Sequence, residues 1–163
     1  MSAREIVHGE SEALKQLKSQ LQTESSDGLK LVTCPDDNPI CSIRLDESIP
    51  GIVVVWKRYA TSTQLRFIHE HILSLLKKHG VGKILGDDTA LPTIHNEDQA
   101  WIARTWMPRA IAAGFRAGAS KSPSSHFGRL SVDGVRSEVP GSLTIRVFDR
   151  LADARQWLQE FEF

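Results

Sequence analysis

The segment Gly51-Ile52-Val53-Val54-Val55-Trp56 constrains the fold most strongly. An unbroken run of β-branched and aromatic residues predicts a strand that is buried on both faces. Two strand candidates precede it, at residues 29–33 and 40–45, and the second alternates between apolar and polar side chains. Because the connections are short, these three strands are expected to form an antiparallel meander.

The chain after Trp56 alternates between helices and strands. Thr61 followed by Gln64 is a capping-box pattern, and the helix that begins there is expected to end at Gly80. Strand candidates follow at residues 81–85, 115–119 and 142–148, and the irregular stretch 120–141 is expected to contain one short helix. The order predicts an α/β fold with an α+β start: a single mixed sheet of about six strands with packed helices.

Two further helices carry particular expectations. Asn96 and Gln99 form a second cap pattern, and the helix from Asn96 contains Pro108, which cannot donate to the carbonyl of Arg104. We therefore expect a kink near Thr105 or two abutting helices. Asp149 is expected to cap the last helix.

Residues 1–28 are predicted to be an extension of a single domain that covers residues 29–163. Ser11 can cap a short helix that runs to about Leu21, and Gln22 begins a turn-rich linker. Leu14 and Leu17 share a narrow stripe with Leu21. This stripe packs either on the same domain or on a second copy, so a dimerising interaction module is one alternative function.

Composition excludes several classes of protein. Lys plus Arg equals Asp plus Glu at 20 each, which argues against a nucleic-acid partner. No apolar run is long enough for a membrane span, and no secretory signal is recognisable, so we expect a cytoplasmic protein. Cys34 and Cys41 flank a predicted hairpin turn. They can pair across strands, although reduced thiols are favoured in the cytoplasm, and two cysteines are too few for a structural zinc site.

The order of elements and several local motifs resemble uncharacterised bacterial domains of the STAS superfamily, also described as STAS/Sec14-like or SpoIIAA-like. The resemblance covers about residues 29–160 and is carried by Ile84-Leu85-Gly86-Asp87, Asp98-Gln99-Ala100-Trp101, Met107-Pro108, Phe127, Phe148-Asp149 and Ala154 with Trp157-Leu158. It implies a non-enzymatic regulatory domain that binds a ligand or a partner protein. It also makes Thr89, in Asp87-Asp88-Thr89, the candidate for phosphorylation. The chain departs from the regulatory pattern because no Ser-Gly pair opens the following helix.

The adjacent carboxylates Asp87 and Asp88 end a predicted strand and are candidates for acid–base chemistry or metal binding. Neighbouring strand residues point to opposite faces, which favours a loop cap and a solvated charge instead. His69-Glu70-His71 is interpreted as a solvated helix face, because residues two apart do not share one side of a helix.

We predict a ligand or partner site near residues 87–95 and the start of the following helix, with residues 120–127 as a neighbouring wall. Its candidate residues are Asp87, Asp88, Thr89, His95, Trp101 and His126. No catalytic set, metal site or cofactor is predicted. The alternative is a small hydrolase or metal-dependent enzyme that uses Asp87 or Asp88 with His95 or His126.

Overall fold

The computed structural model describes residues 21–23, 30–33 and 39–163. The strands are β1 (Leu21–Thr23), β2 (Lys30–Thr33), β3 (Pro39–Asp46), β4 (Gly51–Trp56), β5 (Lys83–Asp87), β6 (Ala117–Lys121) and β7 (Thr144–Phe148). The helices are α1 (Ser62–His79), α2 (Asn96–Trp101), a π-helical segment (Ile102–Trp106), α3 (Met107–Ala112), α4 (His126–Arg136) and α5 (Leu151–Glu160).

These strands form one mixed sheet in which spatial order follows chain order from β1 to β7. Pairing is antiparallel from β1 to β4 and parallel from β4 to β7. The predicted α/β class, the mixed sheet and the antiparallel meander are therefore confirmed. The described residues contain one strand more than the six sequence candidates, namely β1.

Helices cover both faces of the sheet. On one face, β4 side chains such as Val54 join a core with α1, the π-helical segment and α3. On the other face, Val53 and Leu85 pack with Ala154 and Leu158 of α5. Burial of β4 on both faces confirms the prediction from its apolar run.

Helix α1 begins and ends as predicted. Thr61 and Gln64 form both hydrogen bonds of the capping box, and Gly80 ends the helix in the left-handed region with φ 61°.

Two other cap predictions are wrong. His95 precedes α2 without a side-chain cap, and Asn96 is the first residue of the helix. The Gln99 side chain donates instead to the Ile94 carbonyl at 2.7 Å.

The last helix also lacks its predicted cap. It begins after Arg150, and no side chain there accepts a hydrogen bond from the first turn, so Asp149 does not cap it. The predicted short helix between residues 120 and 141 is confirmed as α4, with the Ser125 hydroxyl accepting from the Gly128 N–H at 2.9 Å.

Pro108 interrupts the helix as the sequence predicts, and the interruption is a π-helical turn. Met107 donates its N–H to the Ile102 carbonyl five residues back, and Pro108 then lies at the start of α3. Because proline has no N–H, the Arg104 carbonyl loses its α-helical partner. Single π-turns of this kind occur frequently at functional sites.

The N-terminal prediction is wrong at its boundary. Leu21, Gln22 and Thr23 form a strand that pairs with β2, where the sequence predicts a helix end and a linker. Hairpin pairing with residues 30–32 outweighs the local turn signal. The remaining predicted helix and linker, and Cys34, lie outside the described residues. Cys41 is a buried free thiol, and burial raises its pKa to about 12.

Three strands are offset from their predicted positions. Strands β5 and β6 each begin two residues later than predicted, and β7 also begins two residues later. Within the described ranges, no helix combines the length and the apolarity needed to cross a bilayer.

Candidate functional site

A largely apolar cavity of about 170 Å³ lies between the sheet and the helices on the β4–β7 face that α5 does not cover. An apolar cavity of roughly 150 Å³ in another protein is large enough to bind benzene. The space in this chain therefore fits a ligand with about the size of one substituted ring.

Two glycines lie on the floor of this cavity. Gly86 on β5 lies beside Val54 of β4 and Ser120 of β6, and Gly118 lies beside Ile84 and Ile145 in the next row. A Cβ at Gly86 would come 3.1 Å from Asp88 Oδ1, and one at Gly118 would come 3.1 Å from Phe115 Cζ. The two glycines therefore let the Asp88 carboxylate and the Phe115 ring lie close against the sheet at the floor of the cavity.

Helices α1 and α4 and the π-helical segment cover the cavity. Its helical lining comprises His69 and Ile72 of α1, Ile102 and Trp106 of the π-helical segment, and Val132 and Val135 of α4. Arg136, an exposed residue of α4, lies at the same edge of the cavity.

Helix α4 is held mainly by small side chains. Its buried residues are Gly128 and Ser131, and the Ser131 hydroxyl accepts from the Ile94 N–H at 2.9 Å. Gly128 packs directly on the loop before α2, where an added Cβ would lie 2.5 Å from the Leu91 carbonyl oxygen. The helix thus depends on close backbone contact rather than on large buried side chains.

His69 is enclosed by aromatic rings, so the prediction of a solvated helix face is wrong for this residue. Its ring centroid lies 5.0 Å from that of Trp106, 6.1 Å from Trp101 and 6.2 Å from Trp56. Burial lowers its pKa to about 4, although the Leu65 carbonyl, 2.8 Å from Nδ1, opposes that change. The neutral imidazole donates through Nδ1 and keeps Nε2 as an acceptor.

Asp88 is the buried acid of the cavity and is 9% exposed. Burial raises its pKa to about 7, the negative charge of Asp87 acts in the same direction, and a hydrogen bond from Ser120 opposes both. Asp88 therefore changes its ionisation near neutral pH inside an apolar space.

Asp87 and Thr89 have a structural role beside that cavity. Asp87 Oδ1 accepts from the backbone N–H of Thr89 at 3.1 Å and from its hydroxyl at 2.5 Å. Asp87 therefore caps this loop at Thr89. The solvated charge predicted for the second acid is wrong, because Asp88 is buried. A phosphate on Thr89 would replace the hydroxyl hydrogen bond by repulsion from Asp87.

The other predicted site residues lie around the cavity rather than in it. His95 is exposed, with Nε2 3.2 Å from the Tyr59 hydroxyl, and His126 is exposed beside the Phe127 ring. Trp101 is half-buried, with the Arg66 guanidinium 5.2 Å from its ring centroid. The structure therefore brings Asp88 and Ser120 together, while His95 contacts Tyr59 and His126, the first residue of α4, contacts the adjacent Phe127 ring.

Sequence reasoning missed His69, Gly86 and Gly118. For the glycines a signal existed, because glycine inside a strand pattern often marks a bulge or a close approach of another group. Among the described residues, no group of three or more His, Cys, Asp or Glu side chains is arranged to hold a metal ion.

Comparison with known proteins identifies no relative. No protein-family model matches the chain, and neither a curated protein nor a solved structure matches it.

Proposed function

We propose that this chain is a non-enzymatic ligand-binding domain whose small, largely apolar ligand occupies the cavity between the sheet and helices α1 to α4. The observation that carries the proposal is the combination of a largely apolar cavity on the sheet with a buried acid, Asp88, in its lining. Binding sites for small molecules are typically concave and apolar, with a few polar groups that orient the ligand.

The position of α4 supports a route into the cavity. The helix has no large buried side chain, and its Phe127 and Leu130 are 70% and 53% exposed. A segment with few buried apolar contacts opens at lower cost than the core. Movement of α4 would admit a ligand without disturbing the sheet.

We also propose that the chain is a cytoplasmic, STAS-like domain. The order of elements supports this proposal: an antiparallel meander followed by parallel strands that alternate with helices. The loop motif with Thr89 adds a candidate phosphorylation site next to the cavity, and a partner protein that senses the bound ligand would fit a regulatory role.

The test uses toluene as the probe. Melting of the full-length protein is followed at increasing toluene concentration, because a ligand that binds only the folded state raises the melting temperature. Val132→Phe places a larger side chain at the cavity and is expected to abolish the increase. Leu130→Phe, on the exposed side of the same helix, is the matched control and is expected to retain it. An equal response in both variants would contradict binding in the cavity.

A further inference from the structure

We propose that Asp88 binds a small organic amine in this cavity, with the protonated nitrogen at the carboxylate and the apolar part of the ligand against the aromatic lining. This inference rests on the proposed ligand-binding function and specifies the chemical class of the ligand.

Asp88 has no cationic partner among the residues that the structure describes. Other acidic side chains of the described chain pair with arginine: Asp98 with Arg66 at 3.0 Å and Asp46 with Arg155 at 2.7 Å. For Asp88, which is more deeply buried than most carboxylates, the described residues provide no such ion pair. Buried charges in proteins are ordinarily paired, so a cation from outside the chain would complete the site.

The groups around Asp88 come from strands β5 and β6 and from helices α1 and α4. From β5, Asp87 presents a like charge, and from β6, Ser120 donates a hydrogen bond, while the Lys121 backbone carbonyl accepts from the Asp88 N–H at 3.3 Å. From α1, His69 is neutral at physiological pH, since its pKa is lowered to about 4.

From α4, Arg136 contributes an exposed guanidinium at the cavity edge. An anionic group next to Asp88 would meet two carboxylates, whereas a cation would neutralise the buried one.

The cavity also has an aromatic lining. Trp56, Trp106 and Phe115 line the same cavity as Asp88. Aromatic rings attract organic cations through their electron-rich faces, and the attraction grows where water is excluded. A site with one carboxylate and several rings therefore favours an amine over a neutral ligand of the same shape.

The test compares benzylamine with benzyl alcohol, which has nearly the same shape and no charge. Dissociation constants for the full-length protein are measured by NMR titration at pH 6 and pH 8. We expect benzylamine to bind about tenfold more tightly than benzyl alcohol at pH 8, as a charge-assisted hydrogen bond allows. We also expect its affinity to rise between pH 6 and pH 8 as Asp88 ionises, while that of benzyl alcohol stays constant.

Two variants control for the carboxylate. Asp88→Asn keeps the shape of the side chain. It is expected to weaken the binding of benzylamine about tenfold and to leave the affinity for benzyl alcohol almost unchanged. Asp133→Asn removes one exposed charge from α4 and is expected to leave both affinities unchanged.

The outcomes separate the two proposals. Equal binding of both probes to the parent protein, or unchanged benzylamine binding in Asp88→Asn, would overturn the amine assignment and leave the ligand-binding function standing. Failure of both probes to bind would overturn both.

Discussion

Trp106 donates its indole Nε1–H to the backbone carbonyl of His69 at 2.6 Å and meets the imidazole of the same residue edge-on, with the ring centroids 5.0 Å apart. This double contact attaches the π-helical segment to α1 directly beside the cavity. Trp106→Phe removes the donor and part of a buried ring, and it is expected to destabilise the fold by roughly 2–3 kcal/mol.

Trp101→Phe is the matched control for Trp106→Phe, because Trp101 is half-buried. Its expected cost in the free energy of unfolding is about 1 kcal/mol. Urea denaturation of both variants measures the two costs. Equal losses in the free energy of unfolding for the two variants would contradict a special role for Trp106 in the contact between the π-helical segment and α1.

Because aromatic rings enclose His69, its imidazole is expected to remain neutral at pH values well below the range in which histidine ordinarily titrates. In the folded protein burial lowers its pKa to about 4 from the ordinary value of 6.5. Folding stability from this group is fully present above pH 6.5 and is lost as the pH falls toward 4, because the unfolded state then binds the extra proton. NMR titration of the His69 ring protons checks the value, with urea-unfolded protein as the reference. Titration of the folded protein near pH 6.5 would contradict the enclosure.

The raised pKa of Asp88 predicts the opposite pH dependence of folding stability. Its folded pKa is raised from 3.8 to about 7, so its contribution to stability is present below pH 3.8 and decreases as the pH rises through 7. Asp88→Asn is therefore expected to be more stable than the parent at pH 8, by roughly 1–3 kcal/mol, with the difference shrinking toward pH 5. Because both proteins retain His69, subtracting their stability curves isolates Asp88. A constant difference across this range would show that the carboxyl is not buried as described.

Two glycines of α4 provide a matched pair that tests how the helix packs. A Cβ at Gly128 would lie 2.5 Å from the Leu91 carbonyl oxygen, which is rigid backbone. A Cβ at Gly134 would meet Gln99 Oε1, at the end of a side chain whose Nε2 donates to the Ile94 carbonyl.

Gly128→Ala is expected to destabilise the protein by about 2 kcal/mol or more, as overpacking does. Gly134→Ala is expected to cost less than about 1 kcal/mol, since the gain in helix propensity offsets most of the lost hydrogen bond from Gln99 to the Ile94 carbonyl. Chemical denaturation measures both, and a neutral Gly128→Ala would show that α4 does not rest on this loop.

The elements that the sequence predicts well are those determined by local chemistry. The apolar run of β4, the capping box at Thr61 and the left-handed end at Gly80 each depend on residues close together in the chain. The caps proposed at Asn96 and Asp149 failed because a cap pattern does not determine where the preceding backbone turns.

The cavity depends on contacts between residues far apart in the chain. The sequence predicts a solvated face at His69 because residues two apart do not share one side of a helix. In the structure, rings from β4, α2 and the π-helical segment enclose it. Asp87 and Asp88 are equivalent in the sequence, and only the alternation of the strand hints that one enters the core while the other caps a turn. Tertiary packing decides which one becomes the buried acid.

The central claim is that the cavity between the sheet and the helices binds a small apolar ligand. Intermolecular nuclear Overhauser effects between toluene and methyl-labelled full-length protein test it most directly. The account predicts effects to the methyl groups of Val54, Ile84 and Val132, which line the cavity, and none to exposed Leu130. Effects confined to Leu130, or none at toluene saturation, would contradict it.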